Sequence, residues 1–134
     1  KVFFTNSIHV PVWKEMSPFE KIDIESQLTG YSSAGCITYV ELDSTFVTNT
    51  KAIEQIIDYA FKTLDIPYLA FNFPIDSCLS CGYQGEFNDK CPECGSAEIQ
   101  QLRRVTGYLT TDYRNFNIGK QDEVEHRVKH SLYT

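Results

Sequence analysis

Apolar and polar positions divide the 134-residue chain into stretches of different period. Residues 2–12 alternate loosely and end near Pro11, which predicts a strand running out into a loop at Trp13–Pro18. Phe19, Ile22, Ile24 and Leu28 fall on no single period, so residues 19–28 are expected as a short helix or an irregular segment. Small residues and glycine across residues 29–35 mark a loop, and Ile37-Thr38-Tyr39-Val40-Glu41-Leu42 then reads as a β-branched and aromatic strand. Asn49 or Thr50 can cap a helix over residues 51–64, where Ile53, Ile56, Ile57, Ala60, Phe61 and Leu64 share one broad face. Asp65 and Pro67 stop it, and Tyr68-Leu69-Ala70-Phe71-Asn72-Phe73 predicts a second strand. Strand, amphipathic helix, strand is the pattern of a βαβ crossover over a largely parallel sheet.

After Pro74 the pattern changes. Residues 78–95 are too polar and glycine-rich to form a core unaided, residues 99–109 predict an extended arm, and residues 122–130 predict a weak helix whose regular apolar pair is Val124 and Val128. The chain is 42% hydrophobic and 13% aromatic, enough for one compact domain with a modest core. It carries a net charge of −6, with 6 Lys/Arg against 14 Asp/Glu in residues 1–101 and 6 against 4 in residues 102–134. That balance argues against direct nucleic-acid binding, although the basic end can face phosphate or an acidic partner. No stretch reaches the length of an apolar membrane span and none resembles a secretory signal, so a cytoplasmic protein is expected. The opening Lys1-Val2-Phe3-Phe4 reads as strand interior, as in the C-terminal piece of a longer protein.

What carries chemistry is the cysteine pattern. Cys78, Cys81, Cys91 and Cys94 form two C-x2-C pairs, and four thiolates at about 2.3 Å complete the tetrahedron that zinc accepts. Gly82 and Gly95 follow the second cysteine of each pair, where a residue without Cβ lets the turn take positive φ. A structural zinc is expected; iron in the same sulfur cage and a redox dithiol are the competing readings. With all four positions filled by protein, the metal holds shape and leaves no open site for substrate. Cys36 stands apart and reads as a small buried thiol. His126 and His130 have i,i+4 spacing but lack a third ligand, which favours a solvated helix face.

Several segments together resemble one family. Cys78-Leu79-Ser80-Cys81-Gly82, Cys91-Pro92-Glu93-Cys94-Gly95, Arg104-Val105-Thr106-Gly107-Tyr108-Leu109, and Asn117-Ile118-Gly119-Lys120 with Arg127-Val128-Lys129-His130 are similar to the C-terminal region of anaerobic (class III) ribonucleoside-triphosphate reductases. Thr5-Asn6-Ser7-Ile8-His9-Val10-Pro11 and Thr38-Tyr39-Val40-Glu41 extend the resemblance to residues 2–130.

The resemblance implies an α/β fold. Residues 1–76 would be the last strands and helix of a ten-stranded α/β barrel, residues 77–98 a four-cysteine, zinc-ribbon-like segment, and residues 99–134 a glycyl radical loop and tail. It further implies that Gly107 is the radical residue of an oxidoreductase that converts ribonucleotides to deoxyribonucleotides for DNA synthesis. An activase using S-adenosylmethionine and an iron–sulfur cluster would generate the radical, which would pass to a thiyl cysteine on an N-terminal part of the enzyme. The partners implied are that N-terminal part, the activase, a ribonucleoside triphosphate and a second copy in a homodimer. Asn6, Ser7 and His9, at the end of a strand, are candidate contacts to substrate or to the glycyl loop. Arg103 and Arg104 are candidates to pin that loop or meet the activase, against ordinary exposed arginines. A glycine suits a backbone radical because no side chain forces its Cα from planarity. The rival from a different class is a non-catalytic zinc-ribbon module that binds a protein or nucleic acid.

Overall fold

The computed structural model describes residue 3 and residues 9–33, 35–105 and 107–130. The expected first strand, with Asn6 and Ser7, lies for the most part outside the described residues. Its described end is bend and turn, with the Lys14 N–H donating to the Pro11 carbonyl at 3.0 Å. The chain divides into two compact units, one of Phe4–Asn72 with Arg127–Thr134 and one of Lys1–Phe3 with Phe73–His126.

The first unit is built on a parallel strand pair. Helix α1 (Pro18–Thr29) opens on a capping box: the Ser17 side chain accepts the Glu20 N–H, the Glu20 carboxylate accepts the Ser17 N–H, and Pro18 occupies the first turn. It is thus a regular three-turn helix, although its apolar residues show no period. The reason is its buried stripe, Pro18, Lys21, Ile22, Glu25 and Thr29, which has helical spacing but includes two charges, while Ile24 and Leu28 are exposed. Lys21 Nζ donates to the Tyr39 carbonyl, and burial lowers its pKa against the opposing pull of Glu25 and Glu41.

Strand β1 (Thr38–Glu41) pairs in parallel with β2 (Leu69–Asn72), in register from Thr38↔Leu69 to Glu41↔Asn72. The crossover between them contains α2 (Thr50–Asp58), capped by Asn49, whose side chain accepts the Ala52 N–H. This is the βαβ unit expected from the sequence. The helix continues as one π-helical turn, Tyr59–Thr63, closed by the Leu64 N–H on the Tyr59 carbonyl at 3.2 Å. The π turn brings Tyr59 against α1, with its hydroxyl donating to Asp23 at 2.5 Å and its ring edge-on to Phe19. Ile22, Val40, Leu42, Ala52, Ile56, Ala60 and Ile66 form the core of this unit.

The second unit is antiparallel, with strand order β4-β3-β5-β6 for β3 (Ile75–Cys78), β4 (Gln84–Gly85), β5 (Ile99–Val105) and β6 (Tyr108–Thr110). The expected extended arm over residues 99–109 is instead a hairpin, because β6 folds back on β5 with Val105↔Tyr108 and Arg103↔Thr110 in register. Helix α3 (Ile118–His126) packs against β5 and starts at Asn117, whose side chain accepts the Lys120 N–H. It ends at His126, four residues before its expected end. Among the described residues of this unit the buried apolar side chains are Cys78, Cys91 and Val105. Two of these three are thiols, so the unit has little apolar core to hold it.

Candidate metal centre and glycine hairpin

The cysteine pairs sit on two turns of the same construction. In the first, the Gly82 N–H donates to the Cys78 carbonyl at 3.0 Å and the Cys78 N–H to the Tyr83 carbonyl at 2.8 Å. In the second, the Gly95 N–H donates to the Cys91 carbonyl at 2.9 Å and the Cys91 N–H to the Ser96 carbonyl at 2.9 Å. Gly82 and Gly95 have φ of 78° and 72°, the left-handed conformation that glycine adopts without strain. Strand β3 delivers Cys78, and the two turns are tied by the Ser80 and Ser96 hydroxyls at 2.8 Å and by the Leu79 N–H on the Glu98 carbonyl at 2.9 Å.

The four sulfurs lie within 4.8 Å of one another, with Cys78–Cys94 and Cys81–Cys91 at 3.6 Å. Sulfurs at about 2.3 Å from a common tetrahedral ion stand about 3.8 Å apart, so the cage has the right size to hold a metal ion. Its electrostatics are those of thiols competing for ionisation. Cys78 is pulled down to about 6, chiefly by the backbone N–H of Cys81. Cys81 is pushed up to about 12: the Tyr83 N–H favours its thiolate, but burial and the neighbouring thiols of Cys91, Cys94 and Cys78 outweigh that. Cys94 also moves up, where the Ser96 N–H is outweighed mainly by Cys78. A cation at the centre removes this conflict, because it stabilises every thiolate at once.

Gly107 occupies the turn between β5 and β6. It is exposed, it lacks positive φ, and a Cβ built on it meets nothing within 4 Å. Local backbone geometry and packing therefore do not require glycine here. Gly30, at the end of α1 with φ of −65° and equally open surroundings, shows the same freedom, so the geometry permits other residues at Gly107 without itself naming a reason for glycine. Tyr108 and Leu109 beside it are 60% and 65% exposed, whereas Val105 is fully buried and anchors the strand.

Behind the hairpin, Arg103 is no exposed arginine. Its Nη1 lies 2.7 Å from Oδ1 of the fully buried Asp76, a charge pair without hydrogen-bond alignment, and donates one of its hydrogens to the Leu102 carbonyl at 2.9 Å. The other Asp76 oxygen accepts the Phe87 N–H at 2.8 Å. Asp76 thus joins β3, the segment between the cysteine pairs, and the strand leading to Gly107. It is not among the residues singled out from the sequence; the signal was an acid two residues before a metal-site cysteine, on an alternating strand.

The remaining candidates behave differently. His9 Nδ1 is 3.0 Å from Glu25 Oε1 and its ring stands edge-on to Tyr39. Asn6 and Ser7 lie outside the described residues. Cys36 is half-buried before β1, its thiol pushed up by burial and then by Glu25. His126 and His130 do not share a solvated helix face: His126 ends α3 with Nδ1 3.0 Å from Asp122, and His130 lies beyond the helix and is buried. His130 Nδ1 accepts the Glu41 N–H at 2.9 Å, and burial, with Lys21 and Arg127 nearby, pushes its pKa down to about 3. Among the described residues no helix is long and apolar enough to cross a membrane.

Comparison with known proteins agrees with the motif pattern. The family model for anaerobic ribonucleoside-triphosphate reductase matches residues 1–130. Proteins of that name from Salmonella typhimurium (strain LT2) and Escherichia coli (strain K12) are 42% and 41% identical to it, each over 97% of this chain and 19% of their own length. The protein of that name from Enterobacteria phage T4 is 39% identical over 97% of this chain and 22% of its own length. A solved structure named anaerobic ribonucleotide reductase superposes with a TM-score of 0.57 at 26% identity, covering 84% of this chain and 18% of that one. The chain spans about a fifth of the length of these curated relatives. With its four-cysteine cage, its glycine hairpin and a family match along nearly its whole length, this chain belongs to the anaerobic ribonucleoside-triphosphate reductase family.

Proposed function

We propose that this chain is the glycyl-radical-bearing C-terminal part of an anaerobic ribonucleoside-triphosphate reductase and acts together with an N-terminal part that holds the thiyl cysteine and binds the ribonucleoside triphosphate. The observation that carries the reading is Gly107, a glycine in the Arg-Val-Thr-Gly-Tyr-Leu setting that neither its φ nor its surroundings require. Loss of a Cα hydrogen there leaves a backbone radical between an amide nitrogen and a carbonyl, free to become planar. Exposure at the end of a two-strand hairpin suits a residue that must meet first an S-adenosylmethionine and iron–sulfur activase and then the reacting part of the enzyme.

In this reading Cys78, Cys81, Cys91 and Cys94 hold a structural zinc. The ion supplies no step of the reaction and substitutes for the apolar core the antiparallel unit lacks. Residues 1–76, with the parallel pair β1 and β2, belong to the closing strands of a ten-stranded barrel, residues 77–98 form the metal segment, and residues 99–134 the radical hairpin and tail. Among the described residues the parallel sheet has two strands, whereas parallel strands normally lie within larger covered sheets; exposed Ile24, Leu28, Tyr31, Phe61 and Tyr68 fit a unit completed by the rest of the enzyme. His9, with Asn6 and Ser7 before it, is assigned to contact with substrate or the glycine hairpin.

A backbone radical captures oxygen, and the peptide then breaks where the radical resided. Activating the complete enzyme without oxygen, exposing it to air and weighing the products therefore tests the reading. Two fragments divided at Gly107 are expected; an intact chain, or cleavage elsewhere, contradicts it.

A further inference from the structure

Besides the crossing at Phe3–Phe4, the chain passes from the parallel unit into the antiparallel unit that carries the cysteine cage and Gly107 after Asn72, and passes back at Arg127. One buried side chain holds both places. Glu41, the last residue of β1, is 6% exposed and is the register partner of Asn72. Its Oε2 accepts the Asn72 side-chain amide at 2.7 Å, and its Oε1 accepts the Arg127 guanidinium. Its main chain is engaged by the same returning segment: the Glu41 N–H donates to His130 Nδ1 at 2.9 Å, and its carbonyl accepts the His130 N–H at 2.7 Å. The Val128 N–H adds a bond to the Val12 carbonyl at 2.9 Å.

All four polar atoms of Glu41 are thus directed at the outgoing or the returning chain. Such a carboxylate is a costly way to fill a strand end, since an apolar residue would pack there with no charge to desolvate. What the charge adds is geometry, because a carboxylate that takes an amide on one oxygen and a guanidinium on the other fixes the spacing of the two groups.

We propose that Glu41 is a positioning residue that clasps, within the parallel unit, the segment from which the chain departs for the Gly107-bearing unit and the segment on which it returns, so that these two crossings loosen or hold together. The consequence for Gly107 rests on its being the radical residue, as proposed above; the clasp itself does not.

The test is hydrogen exchange on the complete enzyme, comparing Glu41→Gln, Arg127→Met and the double variant. Glutamine keeps the shape but places a donor where one partner donates, so exchange of the Glu41, Leu42, Val128 and His130 amides is expected to rise about tenfold or more. The Gly82 and Gly95 amides of the cysteine turns should not move. Arg127→Met alone is expected to speed exchange at Leu42, which bonds the Asn72 carbonyl on the outgoing side, and Arg127→Lys to restore most of the protection. In the double variant the effects should fall well short of multiplying, since both substitutions break one clasp. Loosening confined to the returning segment, or fully multiplicative effects, overturns the proposal, and Arg127→Met alone can show such confinement even if Glu41→Gln does not fold.

Glycyl radical yield is measured on the same samples. It is expected to fall several-fold in Glu41→Gln and to recover in Arg127→Lys relative to Arg127→Met. Coupled loosening with no glycyl signal in the unaltered enzyme sustains the clasp and sinks the reading of Gly107. A normal signal with no coupled loosening does the reverse.

Discussion

Stripping the metal from the cysteine cage is expected to unfold the antiparallel unit while the parallel unit stays folded. Beyond two of the thiols, the buried apolar side chain among the described residues of the antiparallel unit is Val105, and full burial of a valine contributes about 1.5–3 kcal/mol. A structural zinc in a four-sulfur cage contributes about 10–16 kcal/mol near neutral pH, several times that amount. The conformational cost of ordering β3, β4 and both cysteine turns is about 1–2 kcal/mol per residue, which Val105 cannot offset. The parallel unit, by contrast, buries Ile22, Val40, Leu42, Ile56 and Ile66 and has no metal cluster among its described residues. The assay is hydrogen exchange before and after a zinc chelator, with metal content measured in parallel. Residues 75–105 should lose protection once about one zinc per chain is released, while residues 50–60 and 69–72 keep theirs. Full protection of residues 75–105 in metal-free protein would refute the claim that the ion stands in for a core.

Two further perturbations probe particular bonds. His130 is held neutral, with a pKa near 3 in the folded chain against an ordinary value of 6.5, so its contribution is complete above about pH 6.5 and is lost as pH falls from there toward 3. Between pH 7 and 5.5 that amounts to about 1 kcal/mol, and urea titrations should show it missing from His130→Asn; an unchanged pH slope in that variant would place the proton elsewhere. Ser17→Ala removes half of the α1 capping box and is expected to cost about 1 kcal/mol in the same titrations, with no effect on metal content. A change below a few tenths would mean the box contributes little.

The parts legible in the sequence are those in which a single physical demand set the pattern. The βαβ crossover could be read because the faces of α2 and the two strands are apolar at helical and strand spacing. The cysteine turns could be read because metal geometry dictates both their spacing and the glycines Gly82 and Gly95. Helix α1 escaped the apolar pattern because Lys21 and Glu25 occupy its buried stripe, although Ser17, Pro18 and Glu20 spelled out its start. The β5–β6 hairpin escaped because the residues at its turn, Thr106-Gly107, are not the asparagine–glycine or aspartate–glycine pair that ordinarily announces a two-residue hairpin loop in a sequence. Helix α3 was displaced because it buries Glu123 instead of an apolar stripe, and its cap, Asn117, was the clearer signal. Asp76, Glu41 and His130 act across long sequence separations, and no local pattern announces such partners.

The central claim is that Gly107 is a glycine for the sake of its Cα hydrogen. Because a Cβ at this position meets nothing within 4 Å and φ is not left-handed, Gly107→Ala should fold and bind metal normally, which makes it a clean test. The decisive measurement is electron paramagnetic resonance of the complete enzyme activated without oxygen. The expected signal is a doublet that collapses to a single line when the protein is made with α-deuterated glycine and that is absent from Gly107→Ala of unchanged fold and metal content. A doublet that survives Gly107→Ala, or that ignores glycine deuteration, contradicts the claim.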